Sequence, residues 1–543
     1  MRYRPRTGFL INALLASSIT CGAFAAPGLP RQVATGASAS DTVTVAYYGG
    51  PASIDPAVSY DYAGPAMMHA LYESLVRMRG SSTTAIEGAL ATSWDINPQE
   101  TVYTFHLRHG VLFHDGTPFN AAAVKFSIAR NLAIGAAPAY VFGQFVSAAD
   151  VQIVDNYTVR LHLHAPAPRL LYAFASLYGS YMVSPTAIKK HATKADPWAQ
   201  KWIAAGNDAG SGPYMLTQYN ANSDAILTRF PQYWRGWSGH HVSRVIFDFV
   251  NEEPTRRELL EKGDADIGNV FTPQDMQAME SNPQLVIDST SIYANWTIVP
   301  TVYGPLASKD ARLALEYAFD YNGFLNGLMK GFARPAQGPV LHTSDGHDNA
   351  LPVYQTDLAK AKQLFTAAGV MPGTTLTLWY SSADESQKDI ALVIQGQLGQ
   401  IGINVKIEPR DSGTYFTDLF GTEPVGQRPN LWIGGWSGDY NDAIAWFKPL
   451  YNTQTKDGSA GGANAGLYSN AEVDKDTQLA AVTVDPAKRQ QLLDRIQYIL
   501  TVEDPAAVYV GEEANTTTYH RGLHGYYYNT VYVLAYDFYS MWK

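Results

Sequence analysis

Apolar and polar residues alternate from Thr42 to Tyr48 (TVTVAYY), the period of a half-buried strand, and Gly49-Gly50-Pro51 stops the run. A helical period follows through Met67, Leu71, Leu75 and Met78, which predicts a helix running to Leu75-Val76-Arg77. Tyr103 to Leu107 alternates again, and Phe113 opens a second short strand. Asp115-Gly116 turns the chain, and Asn120 is placed to cap a helix whose inner stripe is Val124, Ile128 and Leu132. Val151 to Leu163 reads as two strands turning at Asp155-Asn156. Ala359 to Gly369 is an amphipathic helix, and Gln395 to Ile407 is a helix feeding a strand. Near the end, Pro505 to Val510 is strand-like. The aromatic tail from Tyr526 to Tyr539 is expected to be pinned into a sheet.

One stretch carries more chemistry than the others. Leu431-Trp432-Ile433 suits a short buried strand that Gly434 and Gly435 are expected to end, and Gly438 precedes Asp439. The turn presents Trp436, Ser437, Gly438, Asp439 and Tyr440 together. Aromatic walls around one acid suit a ligand that is partly apolar and carries a positive group. The alternative is a solvated turn aspartate. Trp446 and Phe447 follow at helical spacing and read as core.

Length and composition narrow the field. A chain of 543 residues is too long for one ordinary core, and 46% hydrophobic with 16% charged residues suits packed domains rather than disorder. A formal net charge of -10 argues against nucleic acid as a partner. Arg2, Arg4 and Arg6 precede an apolar run from Phe9 to Ile19, and Ala23-Phe24-Ala25 fits a small-x-small cleavage site. Residues 1–25 therefore read as a signal peptide, with the mature chain starting near Ala26 and residues 26–40 a flexible leader. The single cysteine, Cys21, lies upstream of that site. A lipid anchor there is not expected, because Ser18-Ile19-Thr20 is not the usual lead-in. Export to the periplasm is the expectation.

Enzyme signatures are missing from the chain: it has no H-E-x-x-H, no G-x-S-x-G and no G-x-x-x-x-G-K-[ST]. Gly458 to Gly466 is glycine-rich but lacks a terminal lysine and reads as a flexible insertion. His162/His164, His240/His241 and His342/His347 lack the compact four-ligand spacing of structural zinc, so no metal and no cofactor are expected.

The block from Leu90-Ala91-Thr92-Ser93-Trp94 through Leu107-Arg108-His109-Gly110 to Phe113-His114-Asp115-Gly116-Thr117-Pro118-Phe119-Asn120-Ala121 resembles the signature of the peptide/nickel-binding family of extracellular solute-binding proteins. Ala123 replaces the family's usual aspartate. Gly210-Ser211-Gly212-Pro213-Tyr214, Phe230 to Gly236 and Glu261 to Gly268 resemble further family motifs in the right order. The resemblance implies an α/β, periplasmic-binding-protein-like fold: two large mixed lobes joined by a hinge plus a smaller third lobe. It assigns residues 41–80, 205–298 and 506–543 to lobe I, 81–204 to the small lobe II and 299–505 to lobe III. The hinge is expected near Thr297–Tyr303 and Glu503–Tyr509, with Tyr509 a further ligand contact. In peptide-binding members the aspartate matching Asp439 receives the ligand's ammonium. The implied function is a non-enzymatic receptor that delivers a short peptide or amine-bearing compound to the permease of an ABC importer, acting as a monomer. An oligosaccharide, opine, heme or nickel receptor is the alternative, and a secreted hydrolase a more distant one. Arg410 and Arg428 are candidates for a ligand carboxylate.

Overall fold

The computed structural model describes residues 41–419, 421, 425–455 and 461–543. The signal peptide, leader and Cys21 lie outside the described residues, as do Gly458–Ala460 of the glycine-rich stretch.

Two sheets dominate. The first has seven strands in the order Leu285–Asp288, Thr517–His520, Ile267–Gly268, Thr42–Tyr47, Arg244–Phe249, Asp224–Arg229 and Tyr214–Asn220. Thr42–Tyr47 sits inside it, parallel to both neighbours, with Val43, Val45, Ala46 and Tyr47 fully buried. The second has six strands in the order Ala333–Arg334, Val508–Ala514, Ser291–Pro300, Leu431–Trp436, Thr375–Ser381 and Asn404–Arg410. A four-stranded antiparallel sheet of Ala91–Ile96, Val102–Leu107, Thr158–His162 and Val151–Asp155 forms the small lobe. Its helix, Ala121–Ile134, starts where Asn120 accepts the backbone N–H groups of Ala122 and Ala123 and ends at Gly135 with φ +65°.

Several expectations change. The first helix is Ala63–Leu71 and does not reach Arg77; Val76–Met78 is a strand paired with Ile86–Gly88. The chain turns at Tyr72 so that Glu73 can be buried, where it accepts Ser211 Oγ at 2.9 Å, Tyr233 OH at 3.1 Å and Trp234 Nε1 at 2.8 Å. Ser211 comes from the G-S-G-P-Y motif and Tyr233-Trp234 from the aromatic motif, so both motifs serve this one carboxyl. The flanking glycines are required by close approach: a Cβ on Gly210 would stand 1.9 Å from Leu71 O, and one on Gly212 2.5 Å from Ala70 O.

The aromatic tail is not in a sheet. It packs as irregular chain held by its tyrosines: Tyr528 OH accepts Leu534 N within the tail at 3.0 Å, and Tyr532 OH accepts Met78 N of a distant segment at 2.8 Å. The described part of the glycine-rich stretch, 461–466, is packed rather than free, since a Cβ on Gly461 would meet Asn452 O at 2.4 Å and one on Gly466 Pro300 O at 2.7 Å.

The crossing between the two large sheets also falls elsewhere than expected. Thr297–Pro300 and Val508-Tyr509 lie inside strands of the six-stranded sheet. The chain passes between the sheets at 289–290 and 515–516, where Asn515 N donates to Thr290 O at 2.6 Å and Asn515 Nδ2 to Asp288 Oδ2 at 2.9 Å. The whole of Ser291–Pro300 and Val508–Ala514 thus belongs to the sheet that carries Leu431–Trp436.

The small lobe is fixed to the first sheet by a buried ion pair. Arg130 donates to Asp55 through both terminal nitrogens, at 2.7 and 2.6 Å, and to Trp198 O at 3.1 and 2.9 Å. Both side chains are nearly inaccessible to solvent. Removing one partner leaves the other charge buried and unpaired. Asp55→Ala is therefore expected to destabilise the protein by about 3–5 kcal/mol, whereas Asp55→Leu combined with Arg130→Leu should recover much of the loss. Denaturant unfolding of the parent and both variants checks this, and a single variant as stable as the parent would contradict it.

Candidate functional site

The strands Val508–Ala514, Leu431–Trp436, Thr375–Ser381 and Asn404–Arg410 run in one direction, three of them next to one another. Their carboxyl ends line one edge of the six-stranded sheet, the usual place for a ligand in an open α/β sheet. Gly434 and Gly435 do not end their strand. They pair with Thr297 and Trp296 inside it, and the strand continues to Trp436. A Cβ on Gly435 would stand 2.8 Å from Asn295 O, so the residue needs glycine for close strand approach.

The turn beyond the strand delivers Asp439 into a place where three parts of the chain meet. Asp439 is 4% exposed. Tyr60 OH, from the loop before the first helix, donates to Oδ1 at 2.6 Å. Tyr140 OH, from the small lobe, donates to Oδ2 at 2.7 Å. Ser176 Oγ, also from the small lobe, bonds the backbone carbonyl of Asp439. Gly438 has no room for a side chain: a Cβ there would be 2.7 Å from the Tyr293 ring and 3.0 Å from Trp446 Nε1. Tyr293 and Trp446 pack edge to face behind the turn, with Trp446 and Phe447 fully buried in the helix Ile444–Leu450, as the sequence predicts.

Burial pushes the Asp439 carboxyl up to about 6, and the bonds from Tyr60 and Tyr140 only partly offset this. Both tyrosines are in turn raised by burial and then by the Asp439 charge. No arginine, lysine or histidine pairs with Asp439 among the described residues. The carboxylate is thus held by neutral hydroxyls alone.

The remaining predicted residues divide. Ser437 shares a hydrogen bond with Tyr62 of the facing loop. Trp436 is half-buried and donates Nε1 to Ala445 O at 3.1 Å. Tyr440 is buried against Val141 and Ala173 of the small lobe, and its hydroxyl accepts from Gln144 at 3.4 Å. Tyr509 stands apart from this group, with its hydroxyl on Leu500 O at 3.2 Å and a bond to Tyr451. Arg428 donates to the carbonyls of Ala465 and Gly421, while Arg410 stacks on Trp379 at 3.7 Å. Tyr60, Tyr62, Tyr140 and Tyr178 were not singled out by sequence. The Tyr60 and Tyr178 rings pack at a tilt of 53°, with centroids 4.9 Å apart. Only the run Tyr60-Asp61-Tyr62 in a loop hinted at a role.

The walls of the cleft are also linked directly. Arg169 of the small lobe binds Asp345 through Nε at 2.5 Å and Nη2 at 3.2 Å, and Arg489 joins Asp345 to Asp442. The histidines have other partners: His162 bonds Gln152, His164 bonds Asp150, His241 bonds Tyr539 O and His342 bonds Glu512. Among the described residues no three metal-ligating side chains are gathered together.

Ionising Asp439 is disfavoured in the folded chain relative to the unfolded one. Its contribution to stability is complete below about pH 4 and is lost as pH rises through about 6. Asp439→Asn, which stays neutral, is expected to raise the melting temperature of the ligand-free protein at pH 7 and to lose that advantage near about pH 4. Parallel melting curves at every pH would refute an uncompensated charge at this position.

Comparison with known proteins adds the following. The family described as bacterial extracellular solute-binding proteins, family 5 Middle, matches residues 85–458. The probable D,D-dipeptide-binding periplasmic protein DdpA of Escherichia coli (strain K12) is 29% identical over 515 residues, spanning 94% of this chain and 96% of its own. The periplasmic binding protein DppA from Helicobacter pylori, solved with the peptide STSA, shares the fold at a TM-score of 0.77 and 24% identity, covering 92% of this chain and 98% of its own. NikZ from Campylobacter jejuni, solved with Ni(L-His), does so at 0.77 and 21%, covering 93% and 100%.

Proposed function

The chain belongs to the bacterial extracellular solute-binding proteins of family 5, and on that premise we propose that its ligand is a short peptide or related amine-bearing compound whose ammonium pairs with Asp439. The protein is a solute-binding receptor of the ABC-importer type, with the periplasmic-binding-protein-like fold, and its partners are a solute and a membrane permease.

The observation that carries the ligand class is the Asp439 carboxylate. It is buried, bonded only by the neutral hydroxyls of Tyr60 and Tyr140, and faced by no cation of the chain among the described residues. A carboxylate has room for more than two donors. An ammonium would supply the missing charge through a strong, poorly screened contact. A relative described as a probable D,D-dipeptide-binding protein and a structure solved with the peptide STSA support this reading. The Ni(L-His) complex of the Campylobacter protein puts nickel with histidine into the same screen. The ligand would be enclosed as the sheets close about the crossings at 289–290 and 515–516. The signal sequence supports export to the periplasm, with the mature protein beginning near Ala26.

A thermal-shift screen over dipeptides, oligopeptides, oligosaccharides, heme and nickel with histidine tests the class. A specific ligand at 100 times its Kd should add about 2.7 kcal/mol of apparent stability. Asp439→Ala should then weaken an ammonium-bearing ligand by about 2–5 kcal/mol, against about 0.5–1.5 kcal/mol for a neutral sugar. A shift with oligosaccharides and none with any peptide would overturn the peptide reading.

A further inference from the structure

Val508–Ala514 and Leu431–Trp436 flank Ser291–Pro300 and are both antiparallel to it, so their carboxyl ends lie on the same edge of the sheet. Two adjacent glutamates stand there with opposite surroundings. Glu512 is 2% exposed, accepts His342 N at 2.8 Å and pairs with His342 Nδ1. Glu513, pointing to the other face of the strand, is half-buried, and among the described residues no hydrogen bond or ion pair reaches its carboxyl. Its Oε1 lies 3.6 Å from where a Cβ on Gly435 would stand. Gly435 is exposed and excludes a side chain by its approach to Asn295 O, so nothing at that position fills the space before the carboxyl.

The facing lobe supplies Tyr62, bonded to Ser437. Burial raises the Tyr62 hydroxyl, then the charge of Glu513 and, more weakly, that of Asp439. One tyrosine thus lies in the field of both acids. Burial also pushes the Glu513 carboxyl up to about 8, and the Asp384 charge adds to this. The ligand-free carboxyl is therefore largely protonated near neutral pH, and a cation pairing with it displaces that proton.

We propose that Glu513 forms a second acidic subsite of the same cleft and selects ligands that carry a second positive group, a basic side chain or second amine, besides the ammonium facing Asp439. This rests on the Asp439 reading above for the first group but makes a separate claim about the second. Glu513 is a specificity-determining residue: Gly435 keeps the approach open, and the contrast with the saturated Glu512 marks it as available.

Titration calorimetry on the full chain and on E513Q, near neutral pH, compares Lys-Ala and Ala-Lys with their norleucine isosteres, and adds Ala-Ala and 1,5-diaminopentane. At least one lysine dipeptide is expected to bind about tenfold or more tightly than its isostere, and E513Q should bring that ratio close to one. Equal binding of lysine and norleucine peptides by the parent would overturn the Glu513 subsite and leave Asp439 untouched. A lysine preference that survives E513Q would also overturn it. Failure of every dipeptide to bind would overturn the Asp439 reading instead. In that case 1,5-diaminopentane decides: binding to the parent and not to E513Q supports the subsite, and no binding overturns it. Should E513Q fail to fold, E513A takes its place with the same expected and overturning outcomes.

Discussion

The carboxylate of Asp439 sets the terms for the rest of the cleft. Taking a charge out of water is costly unless something replaces the lost solvation. Here Tyr60 comes from the loop before the first helix and Tyr140 from the small lobe, while Asp439 itself sits at the tip of a strand in the other large sheet. Only when all three parts come together is the carboxylate solvated by protein. The site is therefore built by all three parts together rather than by any one of them. The Arg169–Asp345–Arg489–Asp442 chain and the Ser176 bond to the Asp439 backbone hold the same turn from the same direction.

The family motifs do a different job. Ser211, Tyr233 and Trp234 meet at the buried Glu73. His114 of the F-H-D-G block pairs with the buried Asp208 and also bonds Gly212 O at 3.0 Å. Asp115 accepts from Ser184 at 2.6 Å. The His114 contacts join the small lobe to the segment that leads into the seven-stranded sheet, whereas the Glu73 cluster lies within the lobe of that sheet and the Asp115–Ser184 bond within the small lobe. Among the described residues none of these side chains is hydrogen-bonded to Asp439.

Local pattern determined a good deal of this. Period-two alternation found Thr42–Tyr47, Val102–Leu107 and the pair Val151–Asp155 and Thr158–His162. Cap chemistry placed Asn120 at the start of Ala121–Ile134. Such features are decided within a few residues, so the sequence alone contains them. The helix past Leu71 and the sheet over Tyr526–Tyr539 failed because apolar spacing records that residues are buried and not which backbone buries them. The helix ends before the buried Glu73, and the tail tyrosines are held by hydroxyl bonds within the tail and to Met78.

For the proposed site, the glycine-flanked turn singles out Asp439 with Trp436, Ser437, Gly438 and Tyr440, because an acid among aromatics is a local signal. The sequence could not find Tyr60 and Tyr140, which stand 379 and 299 residues from Asp439 along the chain. Nor could it separate Glu512 from Glu513. Two identical neighbours on a strand face opposite ways, and only tertiary structure brings His342 to one and the open edge beside Gly435 to the other. The acids were written in the chain. Which of them would be buried without a partner depended on what the other lobes placed against them.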